Sequence, residues 1–408
     1  MFIVKSKIVI TQKTPFKSVA RNKVLKFDFC HEFSCSDSWR DFTNSGKVTL
    51  PKNIKIIDDL TGKQINISGI NQPIGGNDLT GLPPLLMCGD AITLDYYYQY
   101  PKGGQTIIEG TEVLTPESHL FSGYISEISS KKIIEFKVED NFWLLKQLAC
   151  PTKTFKATDT LQSILEYLIK PWNDNHPEKQ LSVDTTENTT FGELRVGNET
   201  VAECLGRMRK TWHFESYFRG NVLYCGLIVY NTKLAKEFTF AFQQNIISDD
   251  LTYKRKEDTV LSILASNSVE EETGETCKDG SKKTKKVRLE VLLTLRHGDD
   301  EPVIFHKPDG GDYPPNSGGE RMTLHYPMAK NMTELIEFAT KEIKKYYYSG
   351  FRGKFTTFGI PYVKSGDNIT IKDPVLPERN GKYKCKSIEY SCGMNGIRQV
   401  VQLDFLIP

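Results

Sequence analysis

Apolar residues recur at two spacings along this chain, and the change of spacing divides it. Near the N-terminus they alternate. Val24, Leu25, Phe27 and Phe29 in KVLKFDF come close to a period of two, the mark of a half-buried strand. MFIVKSKIVITQKT and residues 47–50 also predict strands, with CSDSWRDFTNSG as a turn region before the second. From Leu60 to Leu86 the chain shifts to Gly, Pro, Asn and Asp, as in GINQPIGGNDLTGLPPLL, which predicts a long surface loop suited to contact with a partner. Gly89-Asp90 then opens the strand AITLDYYYQY. TIIEGTEVL, FSGYISEI and KIIEFKV follow, the last two joined through Ser129, Ser130, Lys131 and Lys132.

From Asp159 the spacing becomes helical. Asp159 and Gln162 stand at capping-box spacing, and Leu161, Ile164, Leu165, Leu168 and Ile169 form one apolar face, with Pro171 expected to end the helix. A second helix opens at Thr200 with Glu203 as its capping partner, and its stripe is Val201, Leu205, Met208 and Trp212. HFESYF and VLYCGLIVY follow as a hairpin turning at Arg219, Gly220 and Asn221. Residues 155–232 thus read as a small α/β unit: helix, strand, helix, hairpin.

The period of two returns from Glu237, with strands expected at 238–242, 251–255 and 259–267. The run EEETGETCKDGSKKTKK, acidic and then basic, lies between two strands and predicts a long hairpin with a polar tip. Residues 297–319 are loop-rich. A third helix follows, with Asn331 and Glu334 at its start and Leu335, Phe338, Ala339 and Ile343 on its apolar face. FRGKFTTFGIP, NITIKD, KYKCKSIEYSC and RQVVQLDFLI close the chain as strands. Gly366-Asp367 opens NITIKD as Gly89-Asp90 opens AITLDYYY, a parallel that permits two related barrels.

Composition narrows the function classes. At 408 residues the chain is too long for one ordinary core. A net charge of +2 supplies no global attraction to nucleic acid or an anionic membrane. No apolar run approaches the roughly 20 residues of a membrane helix. The N-terminus lacks a long apolar core and a small-residue cleavage site, so it is expected to be a first strand and not a signal peptide.

Candidate chemistry is sparse. The nine cysteines are scattered and odd in number, unlike a zinc ribbon or a disulfide scaffold. Cys30, His31 and Cys35 cluster at the end of a strand and read as buried or edge thiols beside a surface His. HGDDEPVIFH, with His297, Asp299, Asp300 and His306, reads as a solvated turn in preference to a metal site. The seven histidines form neither HxxxH nor HExxH, and no GxSxG or phosphate-binding glycine loop occurs. No catalytic residue, cofactor or metal is therefore assigned. Lys282, Lys283, Lys285 and Lys286 remain as a candidate protein-contact hairpin tip, set against a tip neutralised by its acidic neighbour.

Four stretches, taken in order, resemble the tail hub proteins of contractile phages and related injection machines. That family includes the late control gene D proteins, the Mu-type 43 kDa tail proteins and the hub-like part of type VI secretion spikes. The stretches are GDAITL…LFSGYISEI…FKVED, the helix at 160–169, ETVAECLGRMRKTWHFESYFRGNVLYCG, and GIPYVKSGDNITIKD…GKYKCKSIEYSCGMNGIRQVVQLDF. Each is weak alone, but their order covers nearly the whole chain.

The resemblance implies a mixed β and α+β fold. Two hub-type β-barrels are expected at 1–154 and 236–408, with a small α/β insert domain at 155–235 and a loop-and-helix insertion near 297–350. It implies a homotrimer whose two barrels per subunit make a six-barrel ring. That ring would meet the sixfold tail tube protein on one side and the spike protein on the other, with DNA or effector passing through the channel. The expected location is the virion baseplate, after synthesis in the bacterial cytoplasm. The loop at 60–86 and the hairpin tip at 270–286 lie outside the shared pattern. A spike β-helix or a lysozyme-like domain would have to come from other chains. The alternative is a carbohydrate-binding or carbohydrate-active surface β-protein, suggested by the Tyr and Trp content and the long loops.

Overall fold

Ten strands carry the architecture, and they fall into two sets of five. The first set is β1 (Glu32–Ser38), β2 (Ser45–Leu50), β3 (Ala91–Pro101), β4 (Ser118–Ser130) and β5 (Ile134–Glu139). The second is β6 (Ile246–Asp249), β7 (Lys354–Phe358), β8 (Asn368–Lys372), β9 (Gly381–Gly393) and β10 (Gly396–Ile407). In space the first set runs β3-β4-β5-β2-β1 and the second β8-β9-β10-β7-β6. This is one permutation used twice, antiparallel at every step. Even a β-bulge recurs. Lys137 pairs with Glu127 and Val138 with Ile125, skipping Ser126; Gln402 pairs with Ser387 and Leu403 with Cys385, skipping Lys386.

These strands come from a computed structural model. It describes residues 3–407 apart from 18, 28, 52–54, 59, 63, 67–82, 102–111, 115–117, 131–133, 157, 186–193, 213, 227–234, 277–281, 308–310, 315–318, 327–328 and 395. Most of the 60–86 loop, most of TIIEGTEVL and the hairpin tip at 277–281 thus lie outside the described residues.

The two units join edge to edge. β9 bonds β1 from Ser387↔Ser38 to Cys392↔Phe33, giving one 16-stranded sheet. Strand Ile3–Thr11 adds to β3 antiparallel, whereas Glu237–Ala241 adds to β8 parallel. One apolar core spans both units, with Ile8, Phe27, Phe136, Phe355, Tyr383 and Tyr390 within it. The fold is mostly β, 52% strand and 18% helix, and among the described residues no sheet closes into a barrel.

The helical-period region builds a second core. The apolar knot after β5 forms α1 (Phe142–Gln147), whose Phe142, Leu144 and Leu145 pack with α2 (Leu161–Asn175) and α3 (Val201–Trp212). A three-stranded sheet completes it. Ser182–Thr185 runs parallel to Val222–Gly226, which pairs antiparallel with Glu215–Arg219 across the turn at Gly220 and Asn221. The α3 cap forms as its spacing predicts: Glu203 Oε2 accepts from Thr200 N at 2.7 Å and Thr200 Oγ1 from Glu203 N at 3.2 Å. Trp212 is only half-buried.

Two details of α2 differ from the sequence reading. The capping pair is Thr160 with Ser163, one residue beyond Asp159 and Gln162. Asp159 instead accepts from Lys156 N in the preceding turn. Pro171 lies inside the helix, which runs on to Asn175. Proline removes one backbone donor, and the turn after it is held from outside. Trp172 Nε1 donates to Lys179 O, Asn173 exchanges two bonds with Leu181, and Asn175 Nδ2 caps Pro171 O.

Between β6 and β7 the chain builds a third core. The long hairpin Val260–Thr276 and Lys282–Arg296 gains Glu320–His325 parallel on one side and Val303–His306 antiparallel on the other. α4 (Met332–Tyr346) packs Leu335, Ala339 and Ile343 onto the hairpin residues Ile263, Val291 and Leu293. Asn331 caps α4 by accepting from Glu334 N at 2.9 Å, while Glu334 turns back to Lys330 N.

Candidate functional site

The Gly-Asp turns are the most elaborated polar features of the β units. Gly89 and Gly366 have φ of 90° and 81°, a region that glycine enters without a Cβ penalty. Each turn lets the following Asp point back into the protein. Asp90 Oδ2 accepts from Met87 N at 2.8 Å, and Asp367 Oδ2 from Lys364 N at 2.8 Å. Asp90 Oδ1 accepts from Lys13 N at 3.1 Å, and Asp367 Oδ1 from Lys236 N at 3.0 Å. The backbone also matches: Gly89 and Asp90 bracket Ile125 as Gly366 and Asp367 bracket Cys385. Both carboxylates are buried.

Their charge partners differ. Arg21 grips Asp90 with two bonds of 2.8 Å and donates onward to Pro84 O and Leu85 O. The end of the predicted surface loop is therefore core, with Leu85 and Leu86 buried. Asp367 has Arg219 of the α/β hairpin turn at 3.8 Å, and burial raises its carboxyl pKa above the ordinary range. Arg21 sits in a polar stretch without periodicity, so nothing in the sequence singled it out.

The FSGYISEI and FKVED stretches have equally physical causes. A Cβ on Gly123 would meet Glu139 O at 1.9 Å, so β5 can cross there only over a glycine. Asp140 Oδ1 then accepts from Phe142 N at 2.9 Å and Oδ2 from Asn44 N at 3.1 Å, tying α1 to the loop before β2. Burial is the main cause that pushes Asp140 up to about 7, against the lowering effect of those two backbone donors.

Three parts of the molecule meet at the seam between units. Asp37 of β1 accepts from Ser365 N at 3.0 Å and from Ser365 Oγ at 2.8 Å, just before the second Gly-Asp turn. Arg219, Asp140, His119 and Lys364 line the adjoining cavity of about 140 Å³. Burial pushes the Lys364 amine down. Asp140 is buried at this polar junction, Asp37, Arg219 and Lys364 are half-buried and His119 is exposed, with the two carboxylates accepting from backbone N–H groups.

The lysine tip is brought together with its acidic neighbour. The hairpin register sets Glu270 opposite Lys286 and Glu271 opposite Lys285, while Lys282 lies opposite Thr276. Lys285 and Lys286 are exposed. The side chains of Lys282 and Lys283 lie outside the described residues.

The other candidates resolve individually. Cys30 and Cys35 are buried and His31 exposed. Burial raises both thiols. His297 stands in a turn at φ 49°, and Lys256 holds Asp300 at 2.8 Å. Among the described residues, Cys150, Glu199 and Cys204 form a cluster that sequence reading missed, with ligand atoms within 4.8 Å of one another. Arg207 ion-pairs with Glu199 at 2.5 Å, and its Nη2 lies 3.8 Å from Cys204 Sγ. Much of the aromatic content is core: Tyr96, Tyr217, Tyr224, Tyr383 and Tyr390 are buried.

No family model matches this chain, and no curated protein matches it by sequence. Its shape does have counterparts. The 43 kDa tail protein of prophage MuSo2 from Shewanella oneidensis superposes with a TM-score of 0.51 at 12% identity, over 98% of this chain and 97% of that one. The chain has the fold of a phage tail protein. A tail protein from Neisseria meningitidis MC58 gives 0.52 at 11% identity, over 98% and 96%. Both superpositions span 98% of the chain.

Proposed function

We propose that this chain is the structural hub of a contractile phage tail or related injection machine, joining the tail tube to the spike and lining the channel between them. The observation that carries the reading is the repeated five-strand unit with its repeated Gly-Asp clamp. A chain that presents the same sheet twice offers two near-equivalent surfaces. Three such chains around one axis present six, so a sixfold tube can be met on one side while the inserts keep a threefold character for a spike on the other. The two units are read as hub barrels at 1–154 and 236–408, with the insert at 155–235. The work of such a protein is done by its shape and contacts, in a virion baseplate.

The test is co-expression with the neighbouring tube and spike chains, followed by light scattering and electron microscopy. A ring of three copies bound to both partners is expected. A chain that stays monomeric and binds neither partner would refute the reading.

A further inference from the structure

The residues after α1 and those before α3 are pinned together by a short backbone bridge, and it gathers three metal-ligating side chains. Ala149 pairs with Thr200, Cys150 N donates to Glu199 O at 2.9 Å, and Val201 N donates to Leu148 O at 2.9 Å. The two segments approach closely again further out, where a Cβ on Gly197 would meet Thr152 Oγ1 at 2.8 Å. Cys204 stands in the first turn of α3, its N–H donating to Thr200 O at 2.9 Å, and the Thr200–Glu203 cap fixes that turn. Backbone bonds thus hold Cys150 Sγ, Cys204 Sγ and a Glu199 carboxylate oxygen within 4.8 Å of one another. Among the described residues, no other three His, Cys, Asp or Glu ligand atoms gather in this way. Both cysteines are buried. Their thiols share a hydrogen bond, which draws the Cys150 pKa down and pushes that of Cys204 up.

The donor set selects the ligand. Two sulfurs and one carboxylate suit zinc, whereas magnesium and calcium take oxygen alone. Zinc binds sulfur at about 2.3 Å and carboxylate oxygen at about 2.0–2.2 Å, so its tetrahedral ligands lie roughly 3.6–3.8 Å apart. The cluster needs a contraction on the order of 1 Å to reach that spacing. Charge balances as well. Two thiolates and Glu199 carry three negative charges, and a divalent ion and Arg207 carry three positive. Arg207 grips Glu199 through Nε at 3.3 Å and Nη2 at 2.5 Å, and Nη2 also donates to Arg195 O at 3.0 Å. Each carboxylate oxygen has two lone pairs, so the ion and Arg207 can share Glu199. A cavity of about 460 Å³, lined by Thr152, Asn198, Glu199 and Arg207, adjoins the cluster.

We infer that Cys150, Cys204 and Glu199 bind a thiophilic divalent cation, zinc by the chemistry of the donors, with a water from the cavity in the fourth position. Both thiol protons leave to solvent as the ion enters, and no electron moves. Arg207 orients Glu199 and donates toward the Cys204 sulfur, as groups behind metal ligands do. The ion clips the segment after α1 to the start of α3, so it stabilises the α/β core by binding only its folded form. This site lies in the α/β region and stands whether or not the hub reading holds.

The test uses the full chain, reduced and freed of metal with a chelator, and cobalt(II) as the probe. One equivalent is expected to give thiolate-to-cobalt charge-transfer bands that zinc then abolishes, and zinc should raise the melting temperature. Cys150→Ser and Cys204→Ser should each lower cobalt affinity by roughly 100-fold. Glu199→Gln should lower it roughly tenfold while keeping the sulfur bands at saturating cobalt. Cys88→Ser, which removes an exposed thiol, should change nothing. Glu199 is only half-buried, so its variant carries the test if a cysteine variant fails to fold. Absence of the bands in the folded, reduced chain overturns the site. So does unchanged affinity in Glu199→Gln, or bands lost in Cys88→Ser.

Discussion

Asp90 and Asp367 occupy the same place in two five-strand units, each accepting from the backbone N–H three residues before it and from that of a distant lysine, Lys13 or Lys236. What separates them is charge. Asp90 holds a buried Arg21 in two bonds, whereas Asp367 has Arg219 at 3.8 Å.

That difference sets the first prediction. Asp90→Ala leaves a buried guanidinium without its counter-ion and should cost about 3–5 kcal/mol. Asp367→Ala leaves the backbone N–H groups of Lys236 and Lys364 without their acceptor and removes a longer ion pair, and should cost about 2 kcal/mol. Denaturant melts of the two variants check the order. Equal losses would show that Arg21 contributes nothing beyond the shared clamp.

Gly123→Ala should destabilise by about 3 kcal/mol or more, because the added methyl would lie 1.9 Å from Glu139 O and backbone must move. Gly206→Ala is the control, since nothing lies within 4 Å of a Cβ there and a helix gains from alanine. Thermal melts of both should move in opposite directions.

The pH dependence follows from Asp140. Its folded pKa is raised from 3.8 to about 7, so between those values the folded chain keeps a proton that the unfolded chain has lost. The stability from this group is present below about pH 4 and is lost as the pH rises through 7. Glu215 and Asp367 are raised in the same direction, by burial first. Asp140→Asn should flatten the fall in melting temperature between pH 4 and 7. An unchanged profile would remove Asp140 as its source.

Replacing Lys282, Lys283, Lys285 and Lys286 together by Ala should change stability by less than about 1 kcal/mol, because Lys285 and Lys286 are exposed. If the tip contacts the tube or spike, the same variant loses co-purification with that partner. Unchanged co-purification leaves the tip as a solubilising feature.

The elements themselves were largely legible. Period-two runs became β3, β4, β9 and β10, and the Thr200–Glu203 and Asn331–Glu334 signals mark the starts of α3 and α4. The long hairpin formed as its charge pattern predicted. Errors fell where distant contacts override local preference. Pro171 stays inside α2 because Leu181 and Lys179 hold the next turn, and 35–38 is strand because β9 pairs along it.

Local spacing therefore determined which residues are strand and helix and which faces are apolar, because those depend on neighbours two to four positions away. It marked both Gly-Asp turns, since positive φ demands a residue such as glycine. Only the tertiary structure decided what each strand lies against. Alternation tells a strand which face to bury and nothing about which edge to bond, so the shared strand order and the β9–β1 seam depend on partners far apart in the chain.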